Sequence, residues 1–456
     1  MTEVRALTRS AQAGPDHDAG TPLGLAALLA GTLVGTVSNS VVNVPLGAIL
    51  DDFDAPLGSG VFVVVGFLLT FAATMPLAGW VGDRYGRRRT YCAALLGTAV
   101  CAVGAATAPS LPILIAWRSL GGVAAAAFAP AVMGLISWMF SAQRRARAVG
   151  AWASVNGVGQ AIGPTMGGLV ADSWGWRWVF VPLVPVALAG FVGALRHIPR
   201  YAGTPMSLDL AGAAALTVAS ALLILGFALL SQPDVGVAVA AGILGAATVT
   251  MAWCVRHCRR VSDPFVQVRL ITESRFARSC LAAFAQMFCL GATLLAIPLF
   301  LIGGGVSTSL AGVALVAVPA TMAVLGPLVG RWADRLRPRR VLRVGLLALF
   351  CAQVGLAVVT ARDTSSVVAV MSTLVLTGLG TALVQTPAAT GATRSPAGAQ
   401  GTGLGVFNLV RFGGSAVGAA WVAVALDVST YPTVVAVSAL VVAFGLAGSF
   451  LGPDPS

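Results

Sequence analysis

Two arginines stand inside long apolar stretches of this chain. Arg118, in the run Arg118-Ser119-Leu120-Gly121-Gly122, lies about seven residues into one stretch, and Arg411 lies about ten residues, ~15 Å, into another. A guanidinium in hydrocarbon costs roughly 2.5 to 3.5 kcal/mol on insertion scales, so each should face a helix-bundle interior or a wet cavity. There it can be satisfied by helix carbonyls, or it can receive an acceptor group from a ligand. The polar residues Ser38, Asn39, Asn43, Asn156, Gln160, Gln286, Gln385 and Asn408 fall in apolar stretches too. With Arg118 and Arg411 they could line one cavity suited to a neutral or anionic amphipathic molecule. Alternatively, the amides are interhelical hydrogen-bond glue worth about 0.6 kcal/mol each.

Acid–base chemistry at depth lacks its groups. None of the sixteen Asp and Glu residues lies near the middle of an apolar stretch, and the three His lie outside the stretches or at their ends. No buried nucleophile and base are spaced for an intramembrane enzyme. Cys254, His257 and Cys258 share a helical turn but want a fourth ligand, so neither a metal nor another cofactor is expected. The chain has no lysine and hence no phosphate-binding Gly-x4-Gly-Lys loop, which excludes an ATP-driven pump.

The elements that must position these residues are membrane helices. The chain has 456 residues, of which 57% are hydrophobic and 10% charged, too few polar groups to coat a water-soluble surface of that size. Apolar blocks of roughly 20 residues or more predict fourteen transmembrane helices, near 23–50, 58–81, 90–108, 111–140, 148–170, 178–195, 208–230, 235–255, 276–302, 310–330, 341–359, 367–390, 401–426 and 434–451. The net charge of +12 is a topology signal and not a nucleic-acid footprint, because 24 of 28 arginines fall on alternate loops. Those loops and both termini are therefore expected in the cytoplasm. Arg177 and Arg362 fall on the other side with seven carboxylates, among them Asp51, Asp52 and Asp54, and Trp174, Trp176 and Trp178 are expected to anchor that interface. The seven cysteines suggest no disulfide framework.

The two halves repeat. Pro76-Leu77-Ala78-Gly79 before Asp83-Arg84 returns as Pro327-Leu328-Val329-Gly330 before Asp334-Arg335, and Gly150, Gly159 and Gly163 return as Gly405, Gly414 and Gly418. The repeat predicts an all-α protein of two pseudo-symmetric six-helix bundles, 22–200 and 257–456, with an inserted helix pair at 201–256 and a disordered cytoplasmic tail at 1–21. By the same register Arg411 corresponds to Asn156.

Gly79-Trp80-Val81-Gly82-Asp83-Arg84-Tyr85-Gly86-Arg87-Arg88-Arg89 closely resembles the signature loop of the major facilitator superfamily. The resemblance implies that Gly79 lets helices approach, while Asp83 with Arg84, Gly86, Arg87 and Arg88 forms a charge latch that breaks as the halves rock. Asp334 and Arg335 would be its counterpart. It also gives Arg118 a role in proton coupling or substrate charge. In the fifth span, Gly159, Gly163, Pro164, Gly167 and Gly168 resemble the motif of the superfamily's exporters; the glycines at i, i+4 and i+8 make one smooth packing face, and Pro164 adds a kink. Asp209, Asp263-Pro264 and Trp176-Arg177-Trp178 add likeness to the fourteen-helix drug:proton antiporter branch.

That branch carries an Asp in the first span where this chain has Ser38, in Val37-Ser38-Asn39-Ser40-Val41-Val42-Asn43-Val44. A serine cannot titrate near neutral pH. The expectation is thus a monomeric secondary transporter of a bacterial cytoplasmic membrane that exports a drug, antibiotic or metabolite. Protons would be its coupling ion, with lipid and a small-molecule substrate as its partners. The alternative is a proton-independent facilitator or importer of a neutral or anionic solute.

Overall fold

A segment crossing lipid must satisfy its own backbone polar groups, and apolar blocks of this length do so as helices. The computed structural model of the chain describes residues 20–55, 57–200, 203–230, 235–335, 337–362, 366–426 and 429–452, without the side chains of 57–61, 142–143, 308–309, 327, 330–335 and 423. Its regular structure is helical. In order these are α1 (Pro22–Ser40), α2 (Leu46–Asp52), α3 (Leu57–Tyr85), α4 (Arg87–Ala106), α5 (Leu111–Ala125), α6 (Phe128–Met139), α7 (Ala142–Trp174), a 3-10 turn (Trp176–Phe180), α8 (Leu183–His197), α9 (Leu210–Leu230) and α10 (Val237–Cys258). Then come α11 (Val268–Ile271), α12 (Ser274–Gly303), α13 (Thr308–Arg335), α14 (Pro338–Ala361), α15 (Val367–Arg394), a 3-10 turn (Ala397–Ala399), α16 (Gly401–Ala425) and α17 (Tyr431–Gly448).

Eleven spans among the described residues are long and apolar enough to cross a membrane, and the chain is a multi-pass membrane protein. Helices α7, α13 and α16 occupy the other three predicted segments and fall outside that set. Two predicted spans are broken. The stretch 23–50 splits because Pro45 has no N–H for the ladder and its ring opposes the carbonyl of Val41; α1 stops at Ser40 and α2 starts at Leu46. Pro130 does the same to the carbonyl of Ala126 and separates α5 from α6. Within α3, α7, α12 and α15 a proline is carried in a continuous helix. The tail expected at 1–21 lies outside the described residues up to 19, as do Asp234, Asp363 and Asp427.

Helices α1 to α8 pack mainly among themselves, as do α12 to α17, and these two groups meet along α3 on α16 and α7 on α13. Helix α9 packs on both α3 and α16, while α10 packs chiefly on α9. The anchor expected from three tryptophans is corrected in one member: Trp174 and Trp178 are exposed, but Trp176 is buried against Phe53 and Phe180. Arg177 turns its guanidinium over the Trp176 ring, 4.3 Å from the centroid, and pairs with Asp52 at 2.7 Å, which holds the Asp52 carboxyl below the usual carboxylate range. Of Asp51, Asp52 and Asp54, Asp52 is therefore already engaged.

The loop before α9 is fastened by Asp209. Its carboxylate accepts from the Gly212 N–H at 2.9 Å, capping α9, from His257 Nε2 at 2.9 Å and from the Phe265 N–H at 3.1 Å. His257, read with Cys254 and Cys258 as a metal candidate, is thus engaged by a carboxylate. Burial raises the Asp209 carboxyl, and the three donors outweigh it to hold the group below its ordinary value. A depressed acid stabilises the fold above its unfolded value and loses that contribution as pH falls through the folded one. The expected outcome for Asp209→Asn is a lower thermal midpoint than wild type at pH 7 in detergent, with the gap closing below about pH 4.

Candidate functional site

The signature loop builds a clamp between the two helix groups. Gly86, at φ +97° where a side chain would be strained, breaks α3 from α4 and leaves Asp83 and Arg87 one turn apart. Both are buried. Asp83 Oδ1 receives Arg87 Nε at 3.0 Å and Nη2 at 2.9 Å, and Asp83 Oδ2 accepts the N–H of Gly401, the first residue of α16. The carboxylate therefore caps the positive end of a helix 318 residues away. Arg87 Nη2 also donates to the Ala399 carbonyl at 3.2 Å. Gly79 and Gly401 face each other so closely that a Cβ on either would collide with the other's carbonyl. Arg88 donates to Leu195 O at 2.6 Å, Arg84 is half-buried, and the side chains of Asp334 and Arg335 lie outside the described residues.

The two deep arginines meet different surroundings. Arg118 is buried within the first helix group, where Nη1 donates to Ser38 O at 2.7 Å, Nε donates to Val63 O at 3.2 Å, and the guanidinium lies 4.5 Å from the Phe67 ring centre. Carbonyls take its Nε and Nη1, and its Nη2 has no partner among the described residues. Ser38 takes part through its backbone, and its Oγ has no partner among the described residues. Arg411 is 1% exposed, and its Nε, Nη1 and Nη2 find no hydrogen-bond acceptor among the described residues. Its guanidinium instead sits 5.1 Å from the Trp152 ring centre and 5.0 Å from that of Phe412. Cation–π contact offsets about 2 kcal/mol when desolvated, while an unmatched buried charge costs several. Five guanidinium donors thus remain unmet in an apolar seam.

Aromatic rings connect the two arginines. Phe67 stacks on Phe71 with centroids 5.6 Å apart, and Phe71 meets Phe412 edge-on at 5.0 Å, so the row Arg118, Phe67, Phe71, Phe412, Arg411 crosses from one helix group to the other. Sequence reasoning found the arginines but not the rings, because no short motif encodes a row drawn from α3, α5 and α16.

The remaining polar residues divide into separate places. Asn408, buried one turn before Arg411, donates to Leu404 O at 2.8 Å and to Met133 Sδ at 3.3 Å, and its Oδ1 has no partner among the described residues. Asn156 is buried and donates to Trp152 O at 2.9 Å. Gln286 and Gln385 hydrogen-bond each other at 3.3 Å between α12 and α15. Asn39 and Gln160 are half-buried and Asn43 is exposed in the turn after α1. In α7 the stripe Gly159, Gly163 and Gly167 lies against Thr36, Ser40 and Val41 of the α1 region, with Gly168 beside Val44 and Pro164 inside the helix. The stripe is a packing face for the first helix.

The Major Facilitator Superfamily model matches residues 27–419. The methylenomycin A resistance protein of Streptomyces coelicolor is 29% identical over 433 residues, 93% of this chain and 90% of that protein. The tetracenomycin C resistance and export protein of Streptomyces glaucescens is 27% identical over 359 residues, 78% of this chain and 66% of that protein. Among solved structures, the human organic anion transporter MFSD10 matches with a TM-score of 0.67 at 16% identity, covering 94% of this chain and all, 100%, of its own, a likeness of fold.

Removing one partner of a buried ion pair costs on the order of 3–5 kcal/mol. Asp83→Ala is therefore expected to open the clamp. In a background without the seven native cysteines, maleimide labelling of Thr402→Cys, a buried position beside Gly401, should speed up by at least about tenfold when Asp83→Ala is added.

Proposed function

The chain belongs to the Major Facilitator Superfamily, and on that premise we propose that it exports a small amphipathic acid across a bacterial cytoplasmic membrane by alternating access. In this reading all fourteen long helices cross the bilayer, both termini are cytoplasmic, α9 and α10 are an inserted pair between two six-helix bundles, and the monomer works alone. Relatives named for antibiotic resistance and export support efflux of a drug, antibiotic or metabolite, as does the glycine stripe of α7. The fourteen-helix drug:proton antiporter branch is the nearest functional type.

Arg411 carries the choice of substrate class. It lies on α16 and its ring partner Trp152 on α7, so the stack spans the two halves and separates when they rock apart. A carboxylate or phenolate entering the opened seam would meet the guanidinium with paired, charge-assisted hydrogen bonds, and its apolar body would meet Trp152 and Phe412. Binding would thus repay a charge that the closed state only partly compensates.

Energy coupling in this reading is proton antiport. Asp83 is the buried carboxylate on the boundary between the two helix groups, and neutralising it would cancel the charge that holds Arg87 and weaken the acceptor of the Gly401 N–H, loosening the clamp. Ser38 favours the second reading, a proton-independent facilitator or importer, since the first span then holds no titratable group.

Flux in proteoliposomes decides both points. Arg411→Gln should cut transport of an acidic substrate by about tenfold or more and leave its neutral analogue near the wild-type rate. Equal loss, or none, for the two compounds contradicts the substrate class. An imposed pH gradient should accelerate wild-type flux; gradient-independent flux would exclude obligatory antiport and leave the facilitator.

A further inference from the structure

A second basic site lies away from the Arg411 seam, at the Arg-rich end of the second helix group. A cavity of about 190 Å³ between the ends of α12, α14 and α15 is lined by Arg275, Arg278, Arg337, Arg339 and Arg394, and its lining among the described residues holds no carboxylate. Two of the five are fixed by the end of the chain. Arg278 Nη1 donates to Leu451 O at 2.6 Å, and Arg339 donates to Ser449 O at 2.9 Å, Leu451 O at 3.2 Å and Gly452 O at 3.1 Å, holding the carbonyls that follow α17. Arg275 Nη1 reaches Arg394 O at 3.3 Å. The acid adjacent in sequence, Glu273, spends its carboxylate on the Arg275 and Phe276 N–H groups as the cap of α12.

The fold therefore gathers five arginines around a hollow. Thr390 adds an independent observation: it lines the same cavity, is 3% exposed, and its Oγ1 has no hydrogen-bond partner among the described residues. A buried hydroxyl without a partner costs free energy unless an acceptor reaches it. Guanidinium forks beside a hydroxyl donor suit an anion with several acceptor oxygens.

We propose that this cavity binds a phosphate group, carried by an anionic phospholipid headgroup or by free phosphate. The arginines at its rim, Arg337 and Arg394, are exposed, which gives the group a path in. Burial first, and then the charge of Arg394, push the Arg145 guanidinium, on α7 of the other helix group, below its ordinary value. A bound anion offsets that repulsion and favours the joined state of the two groups at this end. The site would then tie the transport cycle to the anionic lipid or phosphate around it.

The test uses the full chain in a neutral, phosphate-free detergent, titrated with inorganic phosphate, with short-chain phosphatidylglycerol, and with short-chain diacylglycerol as the phosphate-free control. Binding is read by native mass spectrometry and thermal shift. Thr390→Val and the double variant Arg275→Gln/Arg337→Gln keep Arg278 and Arg339, and so keep the anchoring of the α17 end. The wild type should bind one equivalent, and each variant should bind at least about tenfold more weakly. Saturation by phosphatidylglycerol alone assigns the site to a lipid headgroup, and saturation by phosphate assigns it to the soluble anion. No binding of either, equal binding by both variants and wild type, or an equal shift with chloride or diacylglycerol would overturn the proposal.

Discussion

A guanidinium cannot rest in an apolar seam at no cost, and the centre of this molecule is arranged around two of them. Arg118 shows how a membrane protein ordinarily meets that cost: Ser38 O and Val63 O accept its protons, and Phe67 covers its face. Among the described residues Arg411 receives only ring faces, from Trp152 and Phe412. Rings compensate charge but accept no conventional hydrogen bond, so its directional demand is still unmet. That demand lies on the boundary between the two helix groups, where a transporter of this superfamily would need it.

The same boundary is held by the clamp at the Arg-rich end. Asp83 compensates Arg87 and caps α16 with one carboxylate, and the close approach of Gly79 to Gly401 brings the helices within reach. Near the seam's middle, Phe71 against Phe412 and Met133 against Asn408 continue the joint. Separating the groups would thus break the cap on α16, the Arg87 hydrogen bond to Ala399 O and an aromatic row together. Such a joint suits two discrete states better than a continuous range of openings.

Much of this was legible in the chain's residues, and the reasons for the rest are physical. The spacing of Gly79, Asp83 and Gly86 marks a loop with a mechanical part, but Gly401 as its partner is a contact between distant segments that no local pattern encodes. Arg118 and Arg411 stand out because a charge in an apolar block has to be explained. Their different fates do not, since carbonyls from α1 and α3 and rings from α3 and α7 arrive only through packing. The Ser38 side chain marks the departure in the first span, yet it is its carbonyl that does the bonding. Glutamines 286 and 385 found each other, and Asn43 stands exposed in a turn made where Pro45 ends the helix ladder.

The most direct measurement is an experimental structure of the full chain with an exported acidic compound bound. The account predicts an acidic oxygen of that compound within about 3.2 Å of an Arg411 guanidinium nitrogen, with Trp152 against its apolar body. A compound seated elsewhere, with Arg411 still stacked on Trp152 and without an acceptor, would contradict it.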